Sequence, residues 1–260
     1  SLICLVFVDF SKLTLRGFFQ IALISIFGIT IHIGLLLTGL ANTSSIDAAF
    51  ILTLSPIVAS LAAVIAIRER IIFPHILGIS FAFAGAFLYV TYPHFFGGKS
   101  VAIDIIADIL IFLAVLSEAV YIIGSKKLFE TYDASLIAAI SFIVGVITFS
   151  PLATIEIIKD NSWVRNVTWN NISAIIYLGV FSSFVAYQLL EWSLKRLPVH
   201  INGTIGYLTT TIAILVSAIF LKEELNPFFF FSAVLVVVGI LLVVRFKPKT
   251  THHYHHRHKV

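Results

Sequence analysis

A carboxylate within a long apolar segment is the feature of this chain that says most about the chemistry the protein could perform. Glu118 lies about two helical turns before Lys126-Lys127, and Ser117 and Tyr121 lie near it on one helical stripe. A charge at that depth in a bilayer costs at least a few kcal/mol, so Glu118 is expected to face a cavity or a partner, or to hold a proton. We predict that Glu118 binds substrate and couples transport to protons, with Ser117 and Tyr121 beside it. A structural acid bonded to another helix is an equal alternative.

Two other apolar segments also carry polar groups at membrane depth. His32 lies midway along the first segment, where it is expected to titrate or contact a solute, or to act as a hydrogen-bonding strut between helices. Tyr187 and Gln188 lie deep enough in the sixth segment to line a cavity, and both are predicted to bind substrate. Glu191 is shallower, and Lys195 follows it at the i+4 position, so the sequence favours a structural ion pair there.

The seventh apolar segment is the most polar of the set. Its His200, Asn202 and Tyr207 are predicted to contact substrate, together with several threonines on a water-facing side. Tyr207 is the preferred member, because an aromatic ring with a polar tip suits an organic solute. The alternative is that the hydroxyl groups only bond back to the helix backbone.

Other signatures point away from enzymatic and cofactor chemistry. The chain has no H-E-x-x-H or G-x-S-x-G sequence and no G-x-x-x-x-G-K phosphate loop. Its one cysteine, Cys4, rules out an internal disulfide. The His-rich tail at 246–260 lacks the spacing of a folded metal site, although weak Zn²⁺ or Ni²⁺ binding is left open. We therefore expect no enzyme activity, no cofactor and no metal site.

The elements that must position these residues are membrane helices. The chain is 59% hydrophobic and 12% charged, with a mean hydropathy of +1.05, whereas a soluble domain carries roughly 25% charged residues. The sequence therefore predicts an all-α integral membrane protein. Pro56 and Pro151 fall inside apolar segments, where they are expected to kink or break the helix. Segments long enough to cross about 30 Å of hydrocarbon are predicted at 18–40, 46–67, 72–92, 105–124, 134–157, 172–190, 199–221 and 227–244.

An internal repeat relates the two halves of the chain. A shift of 154 residues places Glu69 on Glu223 and Gly85 on Gly239, and apolar positions coincide without a gap over 21–90. Five predicted helices separate the copies, and because five is odd, the second copy must cross the membrane in the opposite direction. Thirteen of the seventeen Lys and Arg fall on one side, which the positive-inside bias assigns to the cytoplasm together with the C-terminus. Both glutamates are expected to be structural, because each ends a helix beside basic residues.

The repeat predicts a larger protein of ten helices, arranged as five plus five. The first of these helices and most of the second are expected to precede Ser1, which leaves about eight complete transmembrane helices in this chain. The predicted organisation is a first, N-terminally truncated repeat at 1–92, an external linker at 93–104, a second repeat at 105–245 and a basic, His-rich cytoplasmic tail at 246–260.

Several motifs give the chain a family resemblance. They are Leu54-Ser55-Pro56, Arg68-Glu69-Arg70, Gly78 and Gly85 in the first copy, and Tyr187 with Trp192, Leu194-Lys195-Arg196-Leu197, Tyr207-Leu208, Glu223 and Gly239 in the second. With these motifs the chain resembles the EamA domain of the drug/metabolite transporter superfamily over about 18–244. The resemblance implies a ten-helix carrier of small metabolites or drugs with a central cavity between its halves. Glu118 stands where the family commonly has Trp, and Ser232 replaces a Gly, so these departures bear on the substrate site.

These observations together predict a multi-pass permease of the cell (inner) membrane. We expect secondary active transport of a small organic metabolite or drug by alternating access, coupled to protons through Glu118. An intramembrane transferase and a non-transporting membrane scaffold are the alternatives. The expected partners are the solute and the lipid bilayer, with no nucleic acid, and a homodimer is left open.

Overall fold

Helices account for all the regular structure that can be described in this chain. The computed structural model describes residues 10, 13–43, 48, 51–96, 105–159, 167–220 and 229–246, and every regular element within those ranges is helical, as predicted. Each helix overlaps one of the eight predicted apolar segments. The helices are α1 (Leu15–Leu40), α2 (Ser55–Ile67), α3 (Phe73–Phe96), α4 (Ile105–Leu128), α5 (Ala134–Lys159), α6 (Trp169–Arg196), α7 (Val199–Phe220) and α8 (Phe229–Arg245).

Polar caps define where two of the long helices begin. The Thr14 side chain accepts a hydrogen bond of 3.0 Å from the backbone N–H of Gly17 at the start of α1. At the start of α6, Thr168 and Asn171 form a reciprocal capping box. These bonds satisfy N–H groups that the first turn of a helix leaves without a partner.

Proline interrupts one predicted span and not another. Thr53 and Leu54 form a turn between helical residues, and α2 begins directly after them with Pro56 in its first turn, where a missing N–H costs nothing. The predicted break at Pro56 is therefore confirmed. Pro151 lies inside α5, which continues past it as one helix. The chain leaves α2 through Arg68, whose φ of 54° is left-handed.

Two helices contain wide π-helical stretches, at Ile26–Ile31 in α1 and Leu178–Val185 in α6. A π turn adds a residue to the helical repeat and so rotates the side chains that follow it around the axis. The stretch in α1 brings Gly28 against the ring of Tyr121 on α4, where any side chain at position 28 would overlap the ring. The position of Tyr121 therefore depends on a glycine across the interface.

The helices pack in two connected groups. α1 packs against α4 and α5, while α3 pairs most extensively with α8, and α7 contacts both members of that pair. α2 joins the groups by lying against α4 and α7, and α6 packs mainly on α5. The four helices α2, α4, α6 and α7 therefore surround the junction between the groups.

Small residues allow α3 and α8 to approach closely. Gly78 faces the backbone of Gly239 and the side chain of Val243, and Gly85 faces the backbone of Ser232. The contact moves back along α8 as it moves forward along α3, so the two helices are antiparallel. Small residues at such contacts let the backbones of two membrane helices approach each other closely.

The outer surface of the bundle is apolar, as hydrocarbon requires. Phe19, Ile65, Ile158 and Phe230 are 62%, 72%, 78% and 70% exposed, and similar side chains cover most helices. Within the described residues, α1, α4, α5 and α6 are long and apolar enough to cross a membrane, and shorter apolar helices run over Ser55–Ile67, Phe73–Leu88 and Phe229–Arg245.

Part of the predicted organisation lies beyond the described residues. α3 continues to Phe96, past the predicted start of the linker at 93, and residues 97–104 are outside the described ranges. Glu223 and residues 247–260 of the predicted tail are outside them too.

The α3–α8 contact makes a stability prediction. Gly239→Ala places a methyl group against the backbone of Gly78 and the backbone of Ala82, which cannot move without separating the helices. We expect a loss of about 1 to 3 kcal/mol and a lower thermal unfolding midpoint in detergent. Gly34→Ala in α1 is the matched control, because nothing lies within 4 Å of its added carbon. Equal midpoints for both variants would contradict the packing described here.

Candidate functional site

A cavity of about 390 Å³ lies where α2, α4, α6 and α7 meet. Its walls are mainly apolar, and a few polar groups converge on it, which is the usual character of a site for a small organic ligand. The polar lining residues are Thr53, Ser55, Glu118, Asn202 and Tyr207. The remaining lining residues are Leu52, Pro56, Ala59, Ile122, Leu190, Leu194, Val199, Gly203 and Gly206.

Glu118 contributes the charged group of the cavity. Its carboxylate accepts a hydrogen bond of 2.7 Å from the Ser55 hydroxyl, and its side chain is only partly buried. The break before Pro56 starts α2 at Ser55, so the proline sets where this hydroxyl lies relative to α4. A carboxylate with one hydroxyl partner and access to a cavity keeps acceptor capacity for a solute or a proton.

Tyr207 and Asn202 contribute the polar groups of α7. The buried Tyr207 hydroxyl donates to the backbone carbonyl of Thr53 over 2.8 Å, and the Asn202 side-chain oxygen accepts from Ser193 over 2.6 Å. Thr53 belongs to the turn before α2, and its carbonyl accepts this bond from α7. The break in α2 thus supplies two of the polar groups of the cavity wall.

Three of the nine predicted site residues, Glu118, Asn202 and Tyr207, meet in this cavity. Ser117 and His32 instead bond to backbone carbonyls across the α1–α4 interface, Ser117 to Phe27 over 2.7 Å and the His32 Nδ1 to Ala114 over 2.9 Å. The contact of His32 corresponds to the hydrogen-bonding strut that the sequence left open for it.

Tyr187 and Gln188 lie on α6 outside the cavity lining. The Tyr187 ring packs edge-on against Phe142 of α5, with ring centroids 5.6 Å apart. Gln188 is partly buried on the same helix. The Tyr187 side chain therefore lies at the α5–α6 interface, and neither residue lines the cavity.

Tyr121 is hydrogen-bonded to Glu191, for which the sequence predicted a different partner. Its hydroxyl donates to Glu191, which is fully buried, and lies 3.2 Å from the Ser141 hydroxyl. The predicted pair of Glu191 with Lys195 is wrong, because Lys195 forms an ion pair of 2.7 Å with Asp133. Lys195 has this alternative partner because the start of α5 lies beside the end of α6, a neighbour that helical spacing does not reveal.

His200 belongs to a polar cluster at the end of the bundle that carries Arg68, Lys126, Lys195 and Arg245, here called the basic end. The His200 Nδ1 bonds to Glu69, and the same carboxylate accepts the backbone N–H groups of Val199 and His200 at the start of α7 over 3.0 and 3.3 Å. Glu69 thus caps a helix from another part of the chain.

A second histidine extends this cluster. The rings of His75 and His200 are fully buried with centroids 4.4 Å apart, and the His75 Nε2 contacts the carbonyl of Phe246 beyond α8. Lys126 donates to the carbonyls of Leu194 and Leu197 at the end of α6. Every helix around the cavity is therefore tied to a neighbour at the basic end.

Glu69 stays ionised in this setting. Burial would raise its pKa, but the hydrogen bonds from the His200 side chain and from the Val199 backbone outweigh that cost and hold the pKa below its ordinary value of 4.5. The predicted structural role of Glu69 at a helix end agrees with this capping geometry.

Sequence reasoning missed Ser55 and Thr53 as parts of the site. The only signal was Pro56, which marks a break in a helix and so predicts free backbone groups and a displaced side chain nearby. In the described part of the chain, no three His, Cys, Asp or Glu side chains converge as a metal site.

One family model and several relatives named as transporters match this chain. A model described as EamA-like transporter family matches residues 1–91 and 105–245. The chain is 24% identical over 202 residues to an uncharacterized transporter of Archaeoglobus fulgidus, covering 78% of this chain and 68% of the relative. It is 24% identical over 218 residues to uncharacterized transporter YetK of Bacillus subtilis, covering 82% and 64%. The matches thus span about two thirds of these curated relatives.

A solved structure shares the fold. A protein crystal structure superposes with a TM-score of 0.74 at 15% sequence identity, covering 92% of this chain and 79% of the other. At that identity the likeness concerns the fold alone.

The cap on α7 makes a pH prediction. Because the pKa of Glu69 is lower in the folded protein, the stability from its charge is fully present above pH 4.5 and is lost as the pH falls through the folded pKa. Glu69→Gln is expected to cost about 1 kcal/mol at pH 7, with the difference from the parent protein shrinking in acid. Thermal unfolding in detergent across pH measures it, with the exposed Glu130→Gln as control. A difference independent of pH would show that the charge of Glu69 is unimportant.

Proposed function

The chain belongs to the EamA-like transporter family, and from that premise we propose that it is a secondary active transporter of a small organic metabolite or drug. The observation that carries the proposal is the cavity at the junction of α2, α4, α6 and α7, with the Glu118–Ser55 pair in its wall. A cavity between helix groups is where a carrier binds a solute that it then releases on either side.

The chemistry of the cavity suggests the class of solute. Apolar walls suit the carbon skeleton of a small organic molecule, while Glu118, Asn202 and Tyr207 provide acceptors and a hydroxyl for its polar end. The single carboxylate favours a solute with a positive charge or hydrogen-bond donors, such as an amine. Exchange of a proton for this group at Glu118 would couple transport to a proton gradient.

Alternating access requires an arrangement that opens on opposite sides in turn. Tyr207 and Thr53 line the cavity and bond to each other, and the contacts of Lys126 with the carbonyls of Leu194 and Leu197 lie at the basic end. We propose that these two sets of bonds break alternately as the helix groups rock. The excess of Lys and Arg supports placing the basic end and the C-terminus in the cytoplasm, in a cell (inner) membrane protein.

An inverted repeat would give the two access states related geometries. Tyr207 bonds to Thr53, its own counterpart under the 154-residue shift, and counterparts meet at an axis of pseudo-symmetry. The π-helical stretches of α1 and α6 also end at counterparts, Ile31 and Val185. Both features support the proposal of two inverted copies.

The α3–α8 contact supports the same arrangement. Gly78 meets Gly239 and Gly85 meets Ser232, and the 154-residue shift exchanges one contact for the other. Antiparallel helices related in this way are expected when the second copy crosses the membrane in the opposite direction.

Removing the charge of Glu118 tests the proposed coupling. In proteoliposomes with an internal pH-sensitive dye, we expect amine-containing solutes to drive proton flux, and Glu118→Gln to abolish that flux because the amide cannot exchange a proton. Glu130→Gln, an exposed acid at the end of α4, is the matched control. Unchanged flux and pH dependence in Glu118→Gln would exclude this residue as the coupling group.

Filling the cavity tests whether it holds the solute. Gly206 lines the cavity, and nothing lies within 4 Å of a carbon added to it, so Gly206→Leu should fill space without disturbing packing. We expect an unchanged thermal midpoint without solute and loss of the stabilisation that solute gives the parent protein, which is about 2.7 kcal/mol at a hundredfold excess over Kd. Gly34→Leu, outside the cavity, is the control. Full solute stabilisation of Gly206→Leu would place the binding site elsewhere.

A further inference from the structure

A second carboxylate of this bundle, Glu191, is buried without a compensating cation. The side chain is 0% exposed, and no Lys, Arg or His of the described residues lies within ion-pair distance of it. One carboxylate oxygen accepts from the Tyr121 hydroxyl, and Oε2 has no hydrogen-bond partner among the described residues. An ionised carboxylate in such a site loses its hydration, and no nearby cation compensates for that loss. The site therefore favours the neutral acid.

Tyr121 continues a chain of hydroxyl groups through four helices. Tyr121 of α4 lies 3.2 Å from Ser141 of α5, and Ser141 lies 2.8 Å from Ser25 of α1. Ser25 in turn donates to the carbonyl of Ile21 over 2.7 Å. The chain therefore starts at Glu191 on α6 and ends at a backbone carbonyl, which can only accept.

Counting hydrogens along this chain shows how the direction of its hydrogen bonds depends on whether Glu191 holds a proton. Each hydroxyl carries one hydrogen, and that of Ser25 goes to the carbonyl of Ile21. Ser141 must then donate to Ser25, and Tyr121 must donate to Ser141. If every contact in the chain is a hydrogen bond, the Tyr121 hydrogen is already used toward Ser141. The hydrogen bond between Tyr121 and Glu191 must then be donated by a protonated Glu191. When Glu191 is ionised, Tyr121 donates to it instead and the contact between Tyr121 and Ser141 has no hydrogen.

The two arrangements differ by one proton and by the rotation of one hydroxyl group. A proton can therefore enter or leave Glu191 without any movement of a helix.

Other charged and titratable groups near α6 do not neutralise Glu191. They are Glu118 and Lys126 on α4, Asp133 ahead of α5, His200 on α7, and Tyr187 and Lys195 on α6 itself. Every basic residue in this set has another partner: Lys126 binds carbonyls, Lys195 binds Asp133 and His200 binds Glu69.

We propose that Glu191 is a second proton-binding site of this protein, closed by the hydroxyl chain of Tyr121, Ser141 and Ser25, and that its proton is released during the transport cycle. The second half of this statement rests on the proposed transport function, whereas the first half does not. Glu118, open to the cavity, would exchange with solute, and Glu191, shielded from it, would store a proton that is returned later in the cycle.

Infrared spectroscopy of the purified protein tests the proton site without any solute. We expect the C=O stretching band of a protonated carboxylic acid at pH 7, which fades reversibly as the pH is raised. The band should be missing in Glu191→Gln, kept in Glu130→Gln and shifted in Tyr121→Phe, which removes the hydroxyl but keeps the ring against Gly28. A spectrum of Glu191→Gln identical to that of the parent at every pH would overturn the proposal.

Paired transport assays test the release of the proton. In proteoliposomes of Glu191→Gln, we expect counterflow of solute to persist while accumulation driven by a proton gradient is lost. Unchanged accumulation would overturn the role of Glu191 in the cycle. Loss of both activities with an unchanged thermal midpoint would overturn it too, because a proton store is not needed for exchange. Absence of solute transport in the parent protein would count against the proposed function, while the infrared result would still decide the proton site.

Discussion

Hydrocarbon cannot hydrogen-bond, and the arrangement of polar groups in this bundle follows from that constraint. Each polar side chain must find a partner within the protein, and the partner is either a carbonyl of its own helix or a group on a neighbouring helix. Ser117 reaches a carbonyl of α1, His32 one of α4 and Tyr207 one beside α2. These bonds hold the helices in register, so a polar residue in this chain is first a connector and only in a few places a ligand.

A polar group that keeps unused hydrogen-bonding capacity is therefore a candidate for binding a solute or a proton. Glu118 has one hydroxyl partner and faces a cavity, whereas Glu191 has a buried oxygen without a described partner at the end of a hydroxyl chain. The same functional group is thus placed in two environments, one accessible and one shielded. Environments that differ in this way are how proteins give two carboxylates separate roles.

Helix ends and helix breaks place the polar groups that pack against the cavity helices. The turn before α2 presents the carbonyl of Thr53 to Tyr207, the hydroxyl of Ser55 at the start of α2 bonds to Glu118, and Glu69 caps α7 from the loop after α2. An uninterrupted helix keeps its backbone groups bonded to itself. Breaks and ends therefore add polar contacts to those that carbonyls within the helices provide.

The sequence by itself determined the helices, because apolar run length and proline position act locally. It placed the eight apolar segments and the break at Pro56. It also named Glu118, Asn202 and Tyr207, since polar residues in apolar segments stand out. Only the tertiary structure decided which groups meet: Glu191 with Tyr121 instead of Lys195, and Ser55 with Glu118. Helical spacing fixes neighbours on one helix, whereas partners on different helices depend on how the helices pack and rotate, which no local pattern records.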